Sequence, residues 1–425
     1  MPSPSEEYYT RSVTELADIV PMTTSSDVYS TTGIKLVNKG VRLNSSFFER
    51  LGRHSILPPL EQCLVVENGV DNDEIVRRAR DLHASDAPYA RMMAELPDAE
   101  VVYEVLQAVI LCDSTIFLLT LARERRASLF THSVAVAMIS IYLGARLALS
   151  REKLIELASA GLLHDVGELR IDHEMLLNDA QPSPEVRELI YAHPATSQRM
   201  LLNSSIYSLE IINAVMRHHE SIDGSGYPFG LLGSEMGVAA KILSLAEVAA
   251  SRLEQEALDG IPRLEILFKF NRQKYDAQLL AFLSVLNGSA MGNSDDRIVD
   301  LLQLHSQIHN IGLTFVFWKH LLGDEQIRAR SPSAYIHQRL SSLAQSTREV
   351  GINTLDKTSI IDSLVDDKKS LGELEQINKE TLQQIKEIVY EVERRWPAFI
   401  ADPTPVGKIV CVWMECMHGL LLQQK

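Results

Sequence analysis

Cysteine is sparse in this chain of 425 residues: Cys63, Cys112, Cys411 and Cys416 form no CxxC pair. That usage excludes a disulfide-built scaffold and a cysteine-ligated zinc knuckle. The expectation is core thiols kept reduced in a cytoplasmic setting; Cys411 and Cys416 fall five apart in an apolar segment, where a helix would point them in different directions. Positive charge is short as well, since 41 Lys and Arg face 56 Asp and Glu for a net charge of −15. Polymeric nucleic acid and anionic membranes are held by Lys and Arg neutralising phosphates, so neither is an expected partner. One small phosphorylated ligand stays open, because a bound metal inverts the local field. Long apolar runs are missing too. The longest candidate, Ser133 to Ala145, stops at Arg146, short of the ~18 residues that suggest a spanning helix. The N-terminal MPSPSEEYYT has no basic segment followed by an apolar one, so no signal peptide and no membrane insertion are expected.

What is present is ordinary globular material, 46% hydrophobic and 23% charged. The length suggests roughly two to three domains. Residues 1 to 20 read as a mobile tail. Asp27 to Leu43 has short β-branched runs punctuated by Gly33 and Gly40, a hairpin or small-sheet pattern. A helix is expected from Asn44 to Ser46 onward, with Glu49 placed for a capping box. Apolar residues at three- and four-residue steps then mark helices over 100–123, 127–148, 152–164, 184–203, 207–219 and 237–256. The stretch Asn287 to Asp296 has linker composition. Beyond it, Leu374, Ile377, Ile385, Ile388, Val389 and Val392 share one face of an amphipathic helix. The expected division is a small α+β leader over 1–110, a helical domain over 111–290 and a helical C-terminal region over 291–425. A homodimer through the helical regions is an expectation that rests on their apolar faces.

The chain has 13 histidines, and six fall between residues 132 and 219: His132, His164, His173, His193, His218 and His219. His164 is followed by Asp165 where an apolar helix ends, and His218-His219-Glu220 closes another. His132 sits inside a third helix, and His193 is expected to open a fourth just before Pro194. A single histidine in such a place is usually a helix cap or a satisfied core residue. A His-Asp pair and a His-His-Glu run at the polar ends of buried helices suit a metal better. Imidazole and carboxylate together are ligands for Zn, Mn, Fe or Ni, and one Asp can bridge two ions. Ligands arriving one or two per helix, about 25 to 32 residues apart, are what a helical bundle supplies. Spacing alone gives a metal site and no substrate.

The quoted residues resemble a known family. HDVGEL at His164–Leu169 and HHESIDGSGYP at His218–Pro228 are similar to the two signature motifs of the HD-GYP phosphohydrolases. FTHS around His132 and AHP around His193 extend the likeness over roughly residues 115 to 255. The resemblance implies a mainly α fold, a helical HD-type metal-dependent phosphohydrolase bundle. It also implies two divalent transition-metal ions, Fe or Mn, and a phosphodiesterase that hydrolyses cyclic di-GMP with hydroxide activated between them. By that pattern His132, His164, Asp165 and Glu247 hold one ion and His193, His218 and His219 the other. Asp165 bridges both ions and is the catalytic residue. Glu247 stands where the family has Asp. Asp223, Gly224, Gly226, Tyr227 and Pro228 are the expected substrate-side wall.

Three positions depart from the family pattern. Glu168 replaces a lysine that contacts phosphate in the family. EVAASRLEQEAL lacks the basic step that follows the metal carboxylate, with Arg252 the one local substitute. Ser128 replaces the Glu that a third metal requires, so two ions are expected. Arg123, Arg125, Arg126 and Arg217 are nearby cations and read as surface charges. The metal ligands favour an enzyme. The missing cations leave two alternatives: a weak or inactive HD-GYP module that signals through contacts, and a phosphohydrolase for another nucleotide.

Overall fold

The structure is a computed structural model. It describes residues 2–177, 183–202, 204, 206–259, 264, 270–286, 301–322, 331–349, 367–397 and 404–422. The linker stretch Asn287–Asp296 lies outside them. The chain divides into two compact units, one of Met1–Asp259 with Gln273–Gly288 and one of Gly260–Arg272 with Ser289–Lys425. The fold is mainly helical, with a small mixed region at the N-terminus and long helices at the C-terminus, as expected.

The first unit opens on a helix, Pro4–Leu16, where a mobile tail was expected. The sequence holds the reason: the Ser3 hydroxyl accepts from the Glu6 N–H while the Glu6 carboxylate accepts from the Ser3 N–H. This capping box satisfies two otherwise free donors, and Tyr9, Val13 and Leu16 are buried beneath the helix. The β region is two small antiparallel sheets. Met22–Thr24 pairs with Leu64–Val66, and Val28–Ser30 pairs with both Lys35–Val37 and Ile56–Leu57. Asn44 caps a short 3₁₀ turn, Ser45–Phe47, through the Ser46 N–H. Glu49 does not close the expected box; it pairs with Arg53 at 2.9 Å.

The expected helix over 100–123 is two helices, Glu100–Gln107 and Asp113–Arg125. The first ends because the Asn72 amide takes the carbonyls of Leu106 and Val109, and the second starts where the Thr115 hydroxyl accepts the Cys112 N–H. The centre of the unit is Ala127–Arg146, flanked by Asp113–Arg125, Arg151–Leu163 and Val238–Asp259. It is the one helix among the described residues long and apolar enough to cross a bilayer, and 83% of its apolar window is buried. Its apolarity is that of a core helix packed on all sides.

The second unit is built from helices Leu301–Leu322, Pro332–Glu349, Lys368–Arg395 and Pro405–Leu422. Trp318 and Trp413 meet edge to face at 5.7 Å in its core. Ile385, Ile388, Val389 and Val392 pack there too, with Ile377 at the margin. The amphipathic face is thus spent inside the unit. Cys63 is a core thiol as expected, whereas Cys112 and Cys411 are partly covered and Cys416 is exposed. Five residues advance a helix by about 500°, so these last two point about 140° apart and cannot both face one core.

Candidate metal centre

Four helices deliver their histidines to one point, and local backbone chemistry fixes how each ring sits. The last carbonyls of a helix have no partner within it. Helix Arg151–Leu163 ends just before His164, whose Nδ1 donates to the free Gly161 carbonyl at 2.8 Å. Helix Leu209–Met216 ends two residues before His218, whose Nδ1 donates to the Val215 carbonyl at 2.6 Å. His193 reaches the same arrangement inside a helix, Pro184–Leu202, where the expectation had it opening one. Pro194 follows it and has no N–H to give the carbonyl four residues back. That carbonyl belongs to Ile190, and His193 Nδ1 takes it at 2.6 Å. In each case the Nδ1 proton is committed and Nε2 faces inward.

The inward atoms meet in two groups that share Asp165. One is His132, His164, Asp165 and Glu247; the other is Asp165, His193, His218 and His219; the ligand atoms in each lie within 4.8 Å of one another. Glu247 Oε2 is 2.7 Å from His132 Nε2 and 3.0 Å from His164 Nε2. Asp165 turns Oδ2 toward His164 at 3.2 Å and Oδ1 toward His193 and His218 at 3.1 and 3.2 Å. Those last two contacts bring two imidazole nitrogens against a single carboxylate oxygen. His193 Nε2 also lies 3.1 Å from His218 Nε2. Lone pairs crowded this closely in a buried place need a proton or a cation between them. Imidazole nitrogens and carboxylate oxygens in overlapping sets of four are the donors a pair of first-row divalent ions takes. The residues therefore fit a dinuclear metal site.

Without ions, protons take that part. Burial alone would lower the His132 pKa, but Glu247 outweighs it and holds the ring well above its usual value. His164, against Asp165 and Glu247, overcomes burial in the same way and is pushed up to about 10. Burial and the neighbouring rings His218 and His193 press His219 well below its usual value. Asp165 and Glu247 are held well below the carboxylate range by the histidines, against the cost of burial. His173, the remaining histidine of the cluster in sequence, stays outside both groups; its backbone N–H donates to the Tyr8 hydroxyl.

A family model described as an HD domain matches residues 108–279. Among curated relatives, the cyclic di-GMP phosphodiesterase PA4108 of Pseudomonas aeruginosa is 34% identical over 133 residues, 31% of this chain and 32% of that protein. The cyclic di-GMP phosphodiesterase PdeB of Borreliella burgdorferi is 27% identical over 157 residues, 36% of this chain and 41% of the relative. The 3'3'-cGAMP-specific phosphodiesterase 3 of Vibrio cholerae is 30% identical over 117 residues, 28% of this chain and 25% of the relative. This chain carries an HD domain of the HD-GYP type. It spans about a quarter to two fifths of the length of these relatives.

The second motif lies beside the two groups of ligand-type side chains. The Tyr227 ring stacks on His219 at 4.6 Å and 22°, and Tyr191 meets it edge to face at 4.7 Å. Asp223 accepts the Ser225 N–H through its side chain and turns the chain at Gly224, whose φ is +77°. Pro228 follows Tyr227 through a cis peptide. Gly226 is required by close approach, because a Cβ there would lie 2.4 Å from the His219 carbonyl oxygen. Glu220 is no ligand. It is 1% exposed and accepts the N–H groups of Phe229, Gly230 and Leu231 at 2.6, 3.2 and 2.9 Å. The histidine pair hid this role, since Glu beside two ligands reads as a third ligand.

The first motif of the HD-GYP domain explains the charge reversal at Glu168. Arg126 donates to the Glu168 carboxylate at 2.6 Å and to its carbonyl at 2.8 Å. Arg126 is only 9% exposed, so its reading as a surface charge is corrected. It is drawn inward because it immediately precedes helix Ala127–Arg146, opposite the 3₁₀ turn Val166–Arg170. Arg123 and Arg125 pair with Glu74 and Glu15 at the periphery. Arg252 bonds Gln255.

Proposed function

We propose that this chain is a metal-dependent phosphodiesterase that hydrolyses cyclic di-GMP. The observation that carries the reading is the pair of four-residue groups sharing one carboxylate, with the Nε2 atoms of His193 and His218 and both oxygens of Asp165 aimed at the same space. When bound, two divalent ions, Fe or Mn, supply Lewis acidity and lower the pKa of water to near neutrality. Asp165 is the catalytic residue of the proposal. Its two oxygens face different groups, Oδ2 toward His164 and Oδ1 toward His193 and His218, and in this reading it helps orient a water at their junction. His132, His164 and Glu247 hold one side, and His193, His218 and His219 the other. Asp223, Gly224, Gly226, Tyr227 and Pro228 shape the substrate wall, with the Tyr227 ring fixed against His219.

Net charge favours a phosphodiester here. Two ions bring about +4, of which Asp165 and Glu247 cancel two. Glu168 adds no free repulsion because Arg126 neutralises it. The relatives named for cyclic di-GMP and for 3'3'-cGAMP support a cyclic dinucleotide as the substrate class of this reading. The missing phosphate-contacting cations, not repulsion from Glu168, favour a second reading: a weak or inactive module, or a phosphohydrolase for another nucleotide. The proposal includes the leader over 1–110, the catalytic domain over 111–290 and the helical region over 291–425, in a bacterial cytoplasm. It also includes a homodimer. Leu302, Leu313 and Val316 are 85%, 43% and 49% exposed and fall within about 60° on one helix face. A strict monomer in sedimentation at micromolar concentration would remove that part.

Elemental analysis of anaerobically purified protein, with cyclic dinucleotide turnover in the same sample, tests the whole. About two Fe or Mn per chain with cleavage of cyclic di-GMP is the expected result. Two ions with cleavage of another dinucleotide moves the reading to that substrate, and two ions with no turnover to a signalling module. No metal refutes the site.

A further inference from the structure

The four histidines with an inward Nε2 are not held alike. His164, His193 and His218 give Nδ1 to a backbone carbonyl that the helix leaves free. His132 cannot, because it lies inside helix Ala127–Arg146, where the carbonyls of the preceding turn are taken by the helical ladder. Its Nδ1 instead lies 3.0 Å from Glu254 Oε1. Glu254 is seven residues beyond Glu247 on helix Val238–Asp259, two turns along the same face. One helix therefore grips the His132 ring at both nitrogens, with Glu247 at Nε2 and Glu254 at Nδ1.

We propose that Glu254 is a positioning residue that fixes the His132 tautomer and makes its half of the centre the tighter metal site. A carboxylate behind a metal-bound histidine orients the ring and raises its basicity, and losing such a partner typically costs 10- to 100-fold in metal affinity. The His132 group holds two carboxylates, Asp165 and Glu247, with Glu254 behind them; the His219 group holds three imidazoles and shares only Asp165. A divalent ion meets more negative charge in the first group, so the two ions bind in sequence and the His132 side fills first. Glu254 is 41% exposed, so its replacement removes little packing.

This inference rests on the two-metal reading above, and titration of chelator-treated protein with Mn²⁺ separates the two. The native chain is expected to show two steps. Glu254→Ala is expected to weaken the tighter step 10- to 100-fold and leave the weaker step in place. Glu254→Gln keeps an acceptor oxygen and is expected to recover part of the loss. In Zn²⁺-loaded protein, imidazole ¹⁵N spectra are expected to show the His132 Nδ1–H fixed in the native chain and lost in Glu254→Ala. Unchanged affinities in Glu254→Ala, or equal weakening of both steps, would overturn the role of Glu254 while leaving the metal centre intact. A native chain that binds no Mn²⁺ would defeat the metal reading itself and this inference with it.

Discussion

Arg126 and Glu168 decide whether the charge reversal in the first motif is a defect or a substitution already balanced. Two unit charges about 4 Å apart attract by about 4 kcal/mol at an effective dielectric near 20. The pair is 9% and 21% exposed, so much of that attraction survives, less the cost of desolvating both groups. Glu168→Gln keeps an acceptor for Arg126 and removes the charge, for an expected loss of about 2 kcal/mol. At about 2–4 °C per kcal/mol, the melting temperature falls by about 4–8 °C. Glu168→Lys faces a buried guanidinium with a second cation and is expected to cost about 3–5 kcal/mol, as unpaired buried charges do. Turnover of cyclic di-GMP, the proposed substrate, is not expected to rise in that variant. Adding Arg126→Met removes the repulsion; the double variant regains stability and binds the dinucleotide about 10- to 100-fold tighter, the worth of one charge-assisted phosphate contact. Thermal melts and substrate titrations on the native chain, Glu168→Lys, Arg126→Met and the double variant form a double-mutant cycle. A Glu168→Lys chain as stable as the native one, or single losses that simply add, would refute the pairing argument.

Three further outcomes follow from the geometry. Gly167→Ala puts a Cβ 2.3 Å from the His193 carbonyl oxygen and 2.8 Å from the Ser197 N, so it is expected to cost more than about 2 kcal/mol and to reduce bound metal; native metal content would count against it. Glu220→Ala leaves three loop N–H groups without their acceptor, and faster amide exchange across residues 229–231 is expected with a loss of about 2–4 kcal/mol. The third concerns pH in the chelator-treated chain, where His164 is raised from 6.5 to about 10. A raised histidine contributes stability that is whole below about pH 6.5 and fades as pH climbs toward about 10. Melting temperature should therefore fall over that window more in the native chain than in His164→Gln, while Mn²⁺ affinity rises as protons leave the rings. Parallel melting profiles in the two proteins would count against it.

What the sequence shows clearly is whatever depends on neighbours along the chain. The helical periodicity, the hairpin after Asp27 and the two histidine motifs are local patterns, and the structure has a helix, a small sheet or a helix end at each. The capping box at Ser3 and Glu6 is just as local and contradicts a mobile tail, but a short helix near a terminus carries little weight by propensity alone. Pairings across the fold are not legible. Arg126 and Glu168 are 42 residues apart, and His132 and Glu254 are 122 apart. Nothing in either segment names its partner, because the meeting point is set by how the helices pack. Glu220 fails for a different reason: its acceptors' partners lie in an irregular loop, where neither period nor spacing constrains the backbone.

The histidines show why a plain structural role and a chemical one were hard to separate by spacing. A cap for a helix end and a ligand for an ion look like rival explanations of the same residue. In this fold they are one arrangement, since Nδ1 of His164 and His218 satisfies a carbonyl the helix cannot, and that bond is what turns Nε2 toward Asp165. Pro194 extends the device into a helix interior by freeing the Ile190 carbonyl for His193. The centre is thereby organised by backbone groups that exist before any ion arrives. Removing the metal should then leave these three rings in place, and only His132, held by a side chain instead of the backbone, should lose its orientation when its partner is changed.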